Sequence, residues 1–346
     1  MIKRYEFWPA RLFEIPYYLW LCMHCLLRGM GIRTLAKANY ALNHGEIGLG
    51  SKYETHQAFD EKYFLPTDFL SDSLSPADKA TAIKTFADQH GYPVLLKSNV
   101  GCVGKGIIKL SAHDDIEAAL PTLAGDYLLQ KFTTFNTEYG VFYTRHKGKV
   151  RITGINRKHF PTVRGNGKSS LADLARNHYR YSDHWHAFLQ YHDTSRIPAA
   201  GEKIQLSFIG SHTLGCKFTD DTHLITPELE AAVADVFASQ PGYNFGRIDI
   251  KTLSPETFQQ GDFVVIEVNG VASLPTHMFD PKYSLAEAYR IFIQHAGLLA
   301  KIAHEQRHRP MEFLPVKELI QQIREGNSTL NTAHNNITNR QPAHGD

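Results

Sequence analysis

The sequence predicts an α+β fold built on antiparallel sheets, with a helical segment at its N-terminus. Strand patterns follow one another directly at 138–146 and 149–156, which indicates a hairpin. A doubly wound parallel sheet would instead alternate strand and helix regularly. With 346 residues, 42% of them hydrophobic, the chain can bury a core in two or three subdomains. We predict an aromatic and helical segment at 1–70, a main α+β domain at 71–310 and a disordered tail at 325–346.

The helices and strands are marked by caps and by runs of apolar residues. Ser75 is suited to cap a helix that has Pro76 in its first turn and ends at Gly91, and Thr226 and Pro227 give the same signal. In chain order, the predicted helices are 76–90, 114–120, 227–239 and 285–307, and the predicted strands are 93–97, 107–110, 127–132, 138–146, 149–156, 247–249 and 264–269.

The apolar run 15–27 dominates the N-terminal segment. At about thirteen residues it is shorter than the roughly twenty that cross a bilayer, so it predicts a buried or interfacial helix. Aromatic and arginine side chains surround this run. Peripheral membrane contact through residues 7–30 is therefore the alternative to packing on the protein core.

The composition limits the partners and the compartment. A net charge of +2 without a basic stripe argues against a nucleic-acid partner. The four Cys do not suggest a disulfide framework, and no signal peptide is recognised, which predicts a cytoplasmic protein, with membrane association as the alternative. The oligomeric state is not predicted.

Charged residues interrupt two apolar strands late in the chain. Arg247 and Asp249 are two residues apart, as are Glu267 and Asn269, so each pair lies on one face of its strand. Burying an unpaired carboxylate costs several kcal/mol or more, so the two acids imply a cation or a metal nearby. Carboxylate and amide oxygens suit Mg²⁺, whereas a structural salt bridge is the simpler explanation for either strand alone.

A glycine-rich loop follows the strand that ends at Lys97. Gly101, Gly104 and Gly106 would let backbone N–H groups approach phosphate oxygens, although a plain hairpin explains the same residues. A second segment, 164–170, contains Gly-Lys-Ser but has Thr162 where a P-loop requires its first glycine. Ser169 is better explained as the start of a helix N-cap.

Taken together, these motifs resemble the ATP-grasp superfamily, and most closely the D-alanine–D-alanine ligase-like carboxylate–amine ligases. The resemblance extends over about 63–297 and is most specific in Arg-x-Asp followed by Glu-x-Asn. Residues 165–174 look like a segment of cyanophycin and glutamate-adding ligases, and 6–9 look like the N-terminus of a bacterial ATP-grasp subgroup. The Ser-Pro-Gly that D-alanine ligases carry after the Asn is absent here, so the resemblance does not identify D-alanine as the substrate.

The resemblance implies an ATP-grasp fold, in which two α+β subdomains grip ATP between antiparallel sheets, and it implies a role for each matching residue. Arg247 would be catalytic, stabilising the acyl phosphate and the tetrahedral intermediate. The other residues it implies are, for ATP, Lys97, Gly101, Gly104, Gly106, Gln130, Lys131, Phe132, Glu138 and the loop lysine Lys217, and, for the metal, Asp249, Glu267 and Asn269.

The function implied is an ATP-dependent ligase that joins a carboxylate to an amine through an acyl phosphate. ATP and two Mg²⁺ ions, with Mn²⁺ as an alternative metal, are the cofactors implied, and small-molecule or peptide carboxylates and amines are the substrates. Two alternatives stay open. One is a non-catalytic nucleotide-binding or membrane-attached scaffold, and the other is a kinase-like phosphotransferase.

Overall fold

The structure is a computed structural model that describes residues 4–46, 50–101, 106–182, 185, 192–315, 317 and 321. Its helices are α1 (Ala10–Phe13), α2 (Ile15–Leu27), α3 (Lys52–Gln57), α4 (Pro76–His90), α5 (Asp115–Ala119), α6 (Leu171–Arg176), α7 (Pro227–Val236), α8 (Pro255–Gln259) and α9 (Leu285–Glu305). Its strands are β1 (Thr67–Leu70), β2 (Val94–Ser98), β3 (Ile107–Leu110), β4 (Tyr127–Lys131), β5 (Thr137–His146), β6 (Lys149–His159), β7 (Thr162–Arg164), β8 (Lys203–Gln205), β9 (Lys217–Asp220), β10 (Phe245–Thr252) and β11 (Val264–Asn269).

The described residues form two compact units. Unit one combines the chain up to residue 66 with 133–157 and the part that begins at 218, and unit two combines 67–132 with 158–217. The predicted division at residues 70 and 310 follows the sequence order and stays a prediction. The predicted tail at 325–346 lies outside the described residues.

Unit one is built on a five-stranded sheet with the order β11-β10-β5-β6-β9. β10 runs antiparallel to both of its neighbours, as expected for an α+β fold. One face of the sheet is apolar: Tyr139, Ile248 and Ile250 are fully buried there in one cluster with Val233 of α7. The other face is covered in part by α9, whose His295 ring lies 4.6 Å from that of Phe245.

A β-bulge interrupts the pairing of β10 with β11. Asp249 is opposite Glu267, whereas the next residue, Ile250, is opposite Val265. Ile266 is therefore the extra residue on β11.

The N-terminal helix α2 packs against α9 in unit one. The Tyr17 ring stacks on Phe292 at 4.4 Å, and Leu21 and Cys25 are buried in the same cluster. The predicted helix at 15–27 is thus confirmed, with one side of it in the core. None of the described helices combines the length and the apolar character needed to cross a membrane.

Unit two contains a four-stranded sheet with the order β1-β4-β2-β3 and a small two-stranded sheet of β7 and β8. The neighbouring strands of the larger sheet are antiparallel. One face carries Val94, Leu96 and Leu129, which are buried against Ile83 and Phe86 of α4. Ser75 caps α4 as predicted, since its hydroxyl accepts a hydrogen bond from the N–H of Asp78 at 3.1 Å.

The predicted α+β class with antiparallel sheets is confirmed. The sequence did not predict the short strands β1, β7, β8 and β9 or the short helices α1, α3 and α8. Each spans six residues or fewer, which gives too few positions for a periodic pattern to be recognised.

Candidate functional site

A row of polar side chains occupies the face of the unit-one sheet that lies opposite the apolar core. Arg247 on β10 is the cross-strand partner of Asn269 on β11, and Asp249 is the partner of Glu267. Directly opposed residues of an antiparallel pair project to the same side. The four residues predicted for catalysis and metal binding therefore share one face.

Arg247 and Asp249 form a bidentate ion pair. Nε of Arg247 donates to Oδ1 of Asp249 at 2.7 Å, and a terminal guanidinium nitrogen donates to Oδ2 at 3.0 Å. Only 18% of the Arg247 side chain and 4% of the Asp249 side chain are exposed. Burial alone would lower the pKa of Arg247, but the charge and the hydrogen bonds of Asp249 outweigh it and raise the pKa. The guanidinium is therefore a fixed positive charge on this face.

Glu267 and Asn269 complete the metal-binding set that the sequence predicts. The Glu267 side chain is partly exposed and forms no hydrogen bond or ion pair with the residues that the structure describes, although its charge helps to raise the pKa of Arg247. Nδ2 of Asn269 is buried without a hydrogen-bond partner in that same part of the chain. Carboxylate and amide oxygens are hard donors that suit Mg²⁺. Asp249 keeps lone pairs for a metal even while it accepts from Arg247, so these residues fit a divalent cation.

No group of three or more His, Cys, Asp or Glu in the described parts of the chain could hold a metal ion. The predicted set contains only two acids and relies on an amide as its third ligand. This composition favours Mg²⁺ with water or phosphate oxygens as its remaining ligands over a closed all-protein site.

Glu138 extends the polar row along β5. Its cross-strand partner is Lys251, and Nζ of Lys251 lies 3.7 Å from Oε2 of Glu138. Both side chains are buried, with 4% of Glu138 and 10% of Lys251 exposed. The expectation that Glu138 holds ribose hydroxyls stays a prediction. Its partner Lys251 was not predicted from the sequence.

Gly140 and Asn156 also belong to this face and were missed from the sequence. Gly140 is opposite Asp249, and a Cβ added to it would lie 2.3 Å from Oδ1 of Asn156 and 3.0 Å from Cδ of Arg247. Asn156 is fully buried, and its Nδ2 has no hydrogen-bond partner in the described structure. A glycine inside a strand often marks such a close approach, and this was the available signal.

In unit two, the register separates two of the predicted ATP-binding residues. Gln130 is opposite Leu95, and Lys97 is opposite Leu128, so alternation puts Lys97 and Gln130 on the same face, away from the apolar core. Lys131 is exposed and is opposite Val94, whose side chain lies in that core. Lys97 and Lys131, both predicted to bind phosphates, are thus on opposite faces of the sheet.

Gln130 and Phe132 have defined neighbours within unit two. Nε2 of Gln130 donates to Oγ1 of Thr67 at 3.0 Å, while its Oε1 is buried and unpaired in the described chain. The Phe132 ring lies 4.4 Å from Nζ of Lys109 and 6.0 Å from the Phe208 ring. Lys109 and Phe208 were not predicted. Alternation in the strand 107–110 was the signal for Lys109, because its neighbours Ile108 and Leu110 face the apolar core.

The structure describes only part of the glycine-rich loop. Gly104 lies outside the described residues, while Gly101 and Gly106 adopt positive φ angles of 143° and 71°. The carbonyl of Gly106 accepts from the N–H of Ser98 at 3.3 Å, which closes the two strands on each other. Glycine is favoured at these backbone angles, so the conformation alone does not require a ligand.

Two predictions need correction. Lys217 was expected in a loop, but it is the first residue of β9, which edges the unit-one sheet. The helix cap in the Gly-Lys-Ser segment is Ser170, one residue later than predicted, and its hydroxyl accepts from the N–H of Asp173 at 3.1 Å.

The chain thus combines antiparallel α+β units with a sheet face that holds a buried Arg–Asp pair, a further carboxylate and two Asn side chains. No family model and no curated protein matches the chain. Among solved structures, the similar proteins are ATP-grasp ligases, the superfamily that the motifs resemble.

Three solved structures illustrate the similarity. A D-alanine–D-alanine ligase from Bacillus anthracis has 13% identity and a TM-score of 0.40, over 71% of this chain and 66% of that chain. A D-Ala:D-Ser ligase from Enterococcus faecalis has 13% identity and a TM-score of 0.40, over 71% of this chain and 61% of that chain. A bifunctional glutathione synthetase from Pasteurella multocida has 15% identity and a TM-score of 0.37, over 70% of this chain and 36% of that chain.

This chain therefore spans less than two thirds of the length of these similar proteins. The Bacillus anthracis ligase has also been solved in complex with ATP. At such identities and TM-scores, the similarity does not assign an activity or a substrate to this chain.

Proposed function

We propose that this chain is an ATP-dependent ligase that joins a carboxylate to an amine. The observation that carries the proposal is the polar face of the unit-one sheet, where Arg247, Asp249, Glu267 and Asn269 are neighbours across two strands. Phosphoryl transfer needs positioned positive charge around the phosphate oxygens and no protein nucleophile. A buried guanidinium beside carboxylates meets this need.

The reaction would proceed in two steps. The substrate carboxylate attacks the γ-phosphate of ATP and releases ADP, which leaves an acyl phosphate. The amine then attacks the acyl carbon and displaces phosphate, which forms the amide. Arg247 is held by two hydrogen bonds to Asp249, so its charge is already oriented when negative charge develops on the reacting oxygens.

Asp249, Glu267 and Asn269 would hold Mg²⁺, which when bound supplies positive charge against the phosphate oxygens. We assign the remaining predicted residues to ATP. The phosphates would be neutralised by Lys97, Lys131 and Lys217 and covered by the backbone of Gly101, Gly104 and Gly106. Gln130 and Phe132 would contact adenine. Glu138 would accept hydrogen bonds from the ribose hydroxyls. Lys131 lies on the opposite face of the sheet from Lys97. For Lys131, a contact with adenine is therefore as suitable as a contact with phosphate.

The first experiment measures ADP and phosphate release by the full chain with MgATP and panels of amino acids and short peptides. Mass spectrometry of the products distinguishes the alternatives. A new amide supports the ligase, whereas a phosphorylated acceptor would indicate the kinase-like phosphotransferase. ATP binding without turnover on any panel would indicate the non-catalytic scaffold.

Glu267→Gln tests the assigned metal site. We expect turnover to be lost while the circular dichroism spectrum and the unfolding temperature are retained, because Glu267 is partly exposed and makes no ion pair within the described chain. Glu228→Gln, an exposed change on α7 in the same unit, is the matched control and should remain active. A fully active Glu267→Gln variant would show that the metal is assigned to the wrong residues.

A further inference from the structure

Helix α2 presents apolar side chains on two opposite sides. Tyr17, Leu21 and Cys25 are buried against α9. On the other side, Ile15, Leu19 and Leu26 repeat at helical spacing and are 48%, 66% and 79% exposed. We call this second set, together with Met23, the outer stripe of α2. A helix that is apolar on every side normally has a partner on every side.

The outer stripe belongs to a larger exposed apolar patch. Nine of the fifteen large hydrophobic side chains that are exposed in the described chain lie between Trp8 and Ile32. Leu12 and Leu27 flank the stripe and are 63% and 71% exposed. Scattered apolar residues are ordinary on a protein surface, but such a concentration in one segment, with six of the nine on α2, marks an interaction site.

The charges near the patch are mostly positive, since within 8–32 the sequence has Arg11 and Arg28 and the single acid Glu14. From Ile15 to Gly45 the sequence has no Asp or Glu, while it contains Arg28, Arg33 and Lys37. Arg33 is exposed, and it donates to the carbonyl oxygen of Leu314 at 3.1 Å.

A bilayer that contains anionic lipids satisfies both features. Its acyl region can cover Leu19, Leu26 and their neighbours, and its headgroups can neutralise the cations. Trp8 and Tyr18, both exposed, have the amphipathic rings that are enriched at the membrane–water boundary. The hydroxyl of Tyr18 donates to Glu14, the single acid of this segment, at 3.3 Å.

We propose that the outer stripe of α2 docks this protein on the surface of an anionic lipid bilayer. The helix lies parallel to the membrane, with the α9 side on the protein and the outer stripe among the lipid chains. The same helix thus joins the protein core to the bilayer without crossing it. This proposal is independent of the ligase activity, because it uses none of the residues assigned to ATP or to metal.

The test is co-sedimentation of the full chain with vesicles made of equal parts of phosphatidylcholine and phosphatidylglycerol. The Leu19→Gln/Leu26→Gln variant should lower vesicle binding by about ten-fold or more, because two buried leucine side chains are lost from the lipid contact. Leu253→Gln is the matched control, since Leu253 is 68% exposed but lies far from α2 in sequence, and it should bind like the wild type. Both variants change exposed side chains, so circular dichroism should show the wild-type fold.

Binding to vesicles of phosphatidylcholine alone should be weaker, and raising the salt concentration should weaken binding to the anionic vesicles. No co-sedimentation of the full chain would overturn the proposal, as would equal binding by the double variant. A dimer in analytical ultracentrifugation that the double variant dissociates, with no vesicle binding, would assign the stripe to a second copy instead.

Discussion

Replacing Arg247 with Met should destabilise the folded chain by about 3 to 5 kcal/mol, because the Asp249 carboxylate then stays buried without its guanidinium partner. The two hydrogen bonds of the pair, 2.7 and 3.0 Å long, are lost together. Only 4% of the Asp249 side chain is exposed, so water cannot replace them fully. Met preserves most of the buried aliphatic volume of Arg247, which keeps any cavity small.

Two further variants separate the buried charge from other effects. Arg290→Met removes one exposed ion pair with Glu287, whose charged atoms are 4.0 Å apart, and should change stability by less than about 1 kcal/mol. Arg247→Met combined with Asp249→Leu removes both charges of the buried pair. This double variant should recover most of the loss, because an apolar pair of similar size avoids the desolvation of an isolated carboxylate.

The assay is urea-induced unfolding at neutral pH, followed by circular dichroism and by tryptophan fluorescence. The free energies of unfolding of the variants are compared for the transition in which unit one unfolds. If Arg247→Met lies within about 1 kcal/mol of the wild type, the carboxylate is not held by Arg247 as the structure indicates. If the double variant is as unstable as Arg247→Met, lost packing rather than unpaired charge explains the effect.

Two other changes test neighbouring features of unit one. Gly140→Ala should lower ATP turnover and should reduce the free energy of unfolding, measured by thermal unfolding, by about 1 to 3 kcal/mol, because the new Cβ would lie 2.3 Å from Oδ1 of Asn156. Gly31→Ala is the control and should change neither property, because no atom lies within 4 Å of the added Cβ. Burial lowers the pKa of His277 to about 4 and that of His295 to about 3, so both are neutral when folded and take up a proton on unfolding below about pH 6.5. Stability should therefore fall as the pH drops from about 6.5 towards 4, by up to about 1.4 kcal/mol per pH unit for each histidine, and urea titrations should show a shallower fall in His295→Gln. An unchanged slope in that variant would contradict the assigned neutral histidine.

Local signals in the sequence were sufficient for the longer elements. Ser75, Pro76 and Gly91 predicted both ends of α4, which the structure places at Pro76–His90. The apolar run 15–27 coincides with α2. The helix predicted at 285–307 ends two residues earlier, at Glu305, because helix ends fray and carry weak signals there. Short edge strands such as β1 depend on pairing with distant residues, which no local pattern encodes.

The charged positions of the site were predictable because charge inside an apolar strand is conspicuous. Arg247, Asp249, Glu267 and Asn269 stand out in this way, and the register brings them together. Gly140 is inconspicuous, since its importance lies in the space it leaves for side chains from other strands. Lys131 shows a second limit. Its neighbour in sequence, Gln130, faces the other side of the sheet, and motif matching does not distinguish faces.

The β-bulge at Ile266 shifts the alternation of side chains along β11, so the residues before and after it follow different face patterns. Val265 and Val268 are both buried with the apolar core although they are three residues apart, and Glu267 still projects beside Asp249 on the opposite side. In a strand of strict alternation, these three side chains could not all be accommodated. Without Ile266, Val265, Glu267 and Val268 would be consecutive, and regular alternation would keep each of them on its present side. When related sequences are aligned, a one-residue gap at Ile266 would therefore preserve both the core and the site, whereas a one-residue gap elsewhere in β11 would turn core residues to the site face.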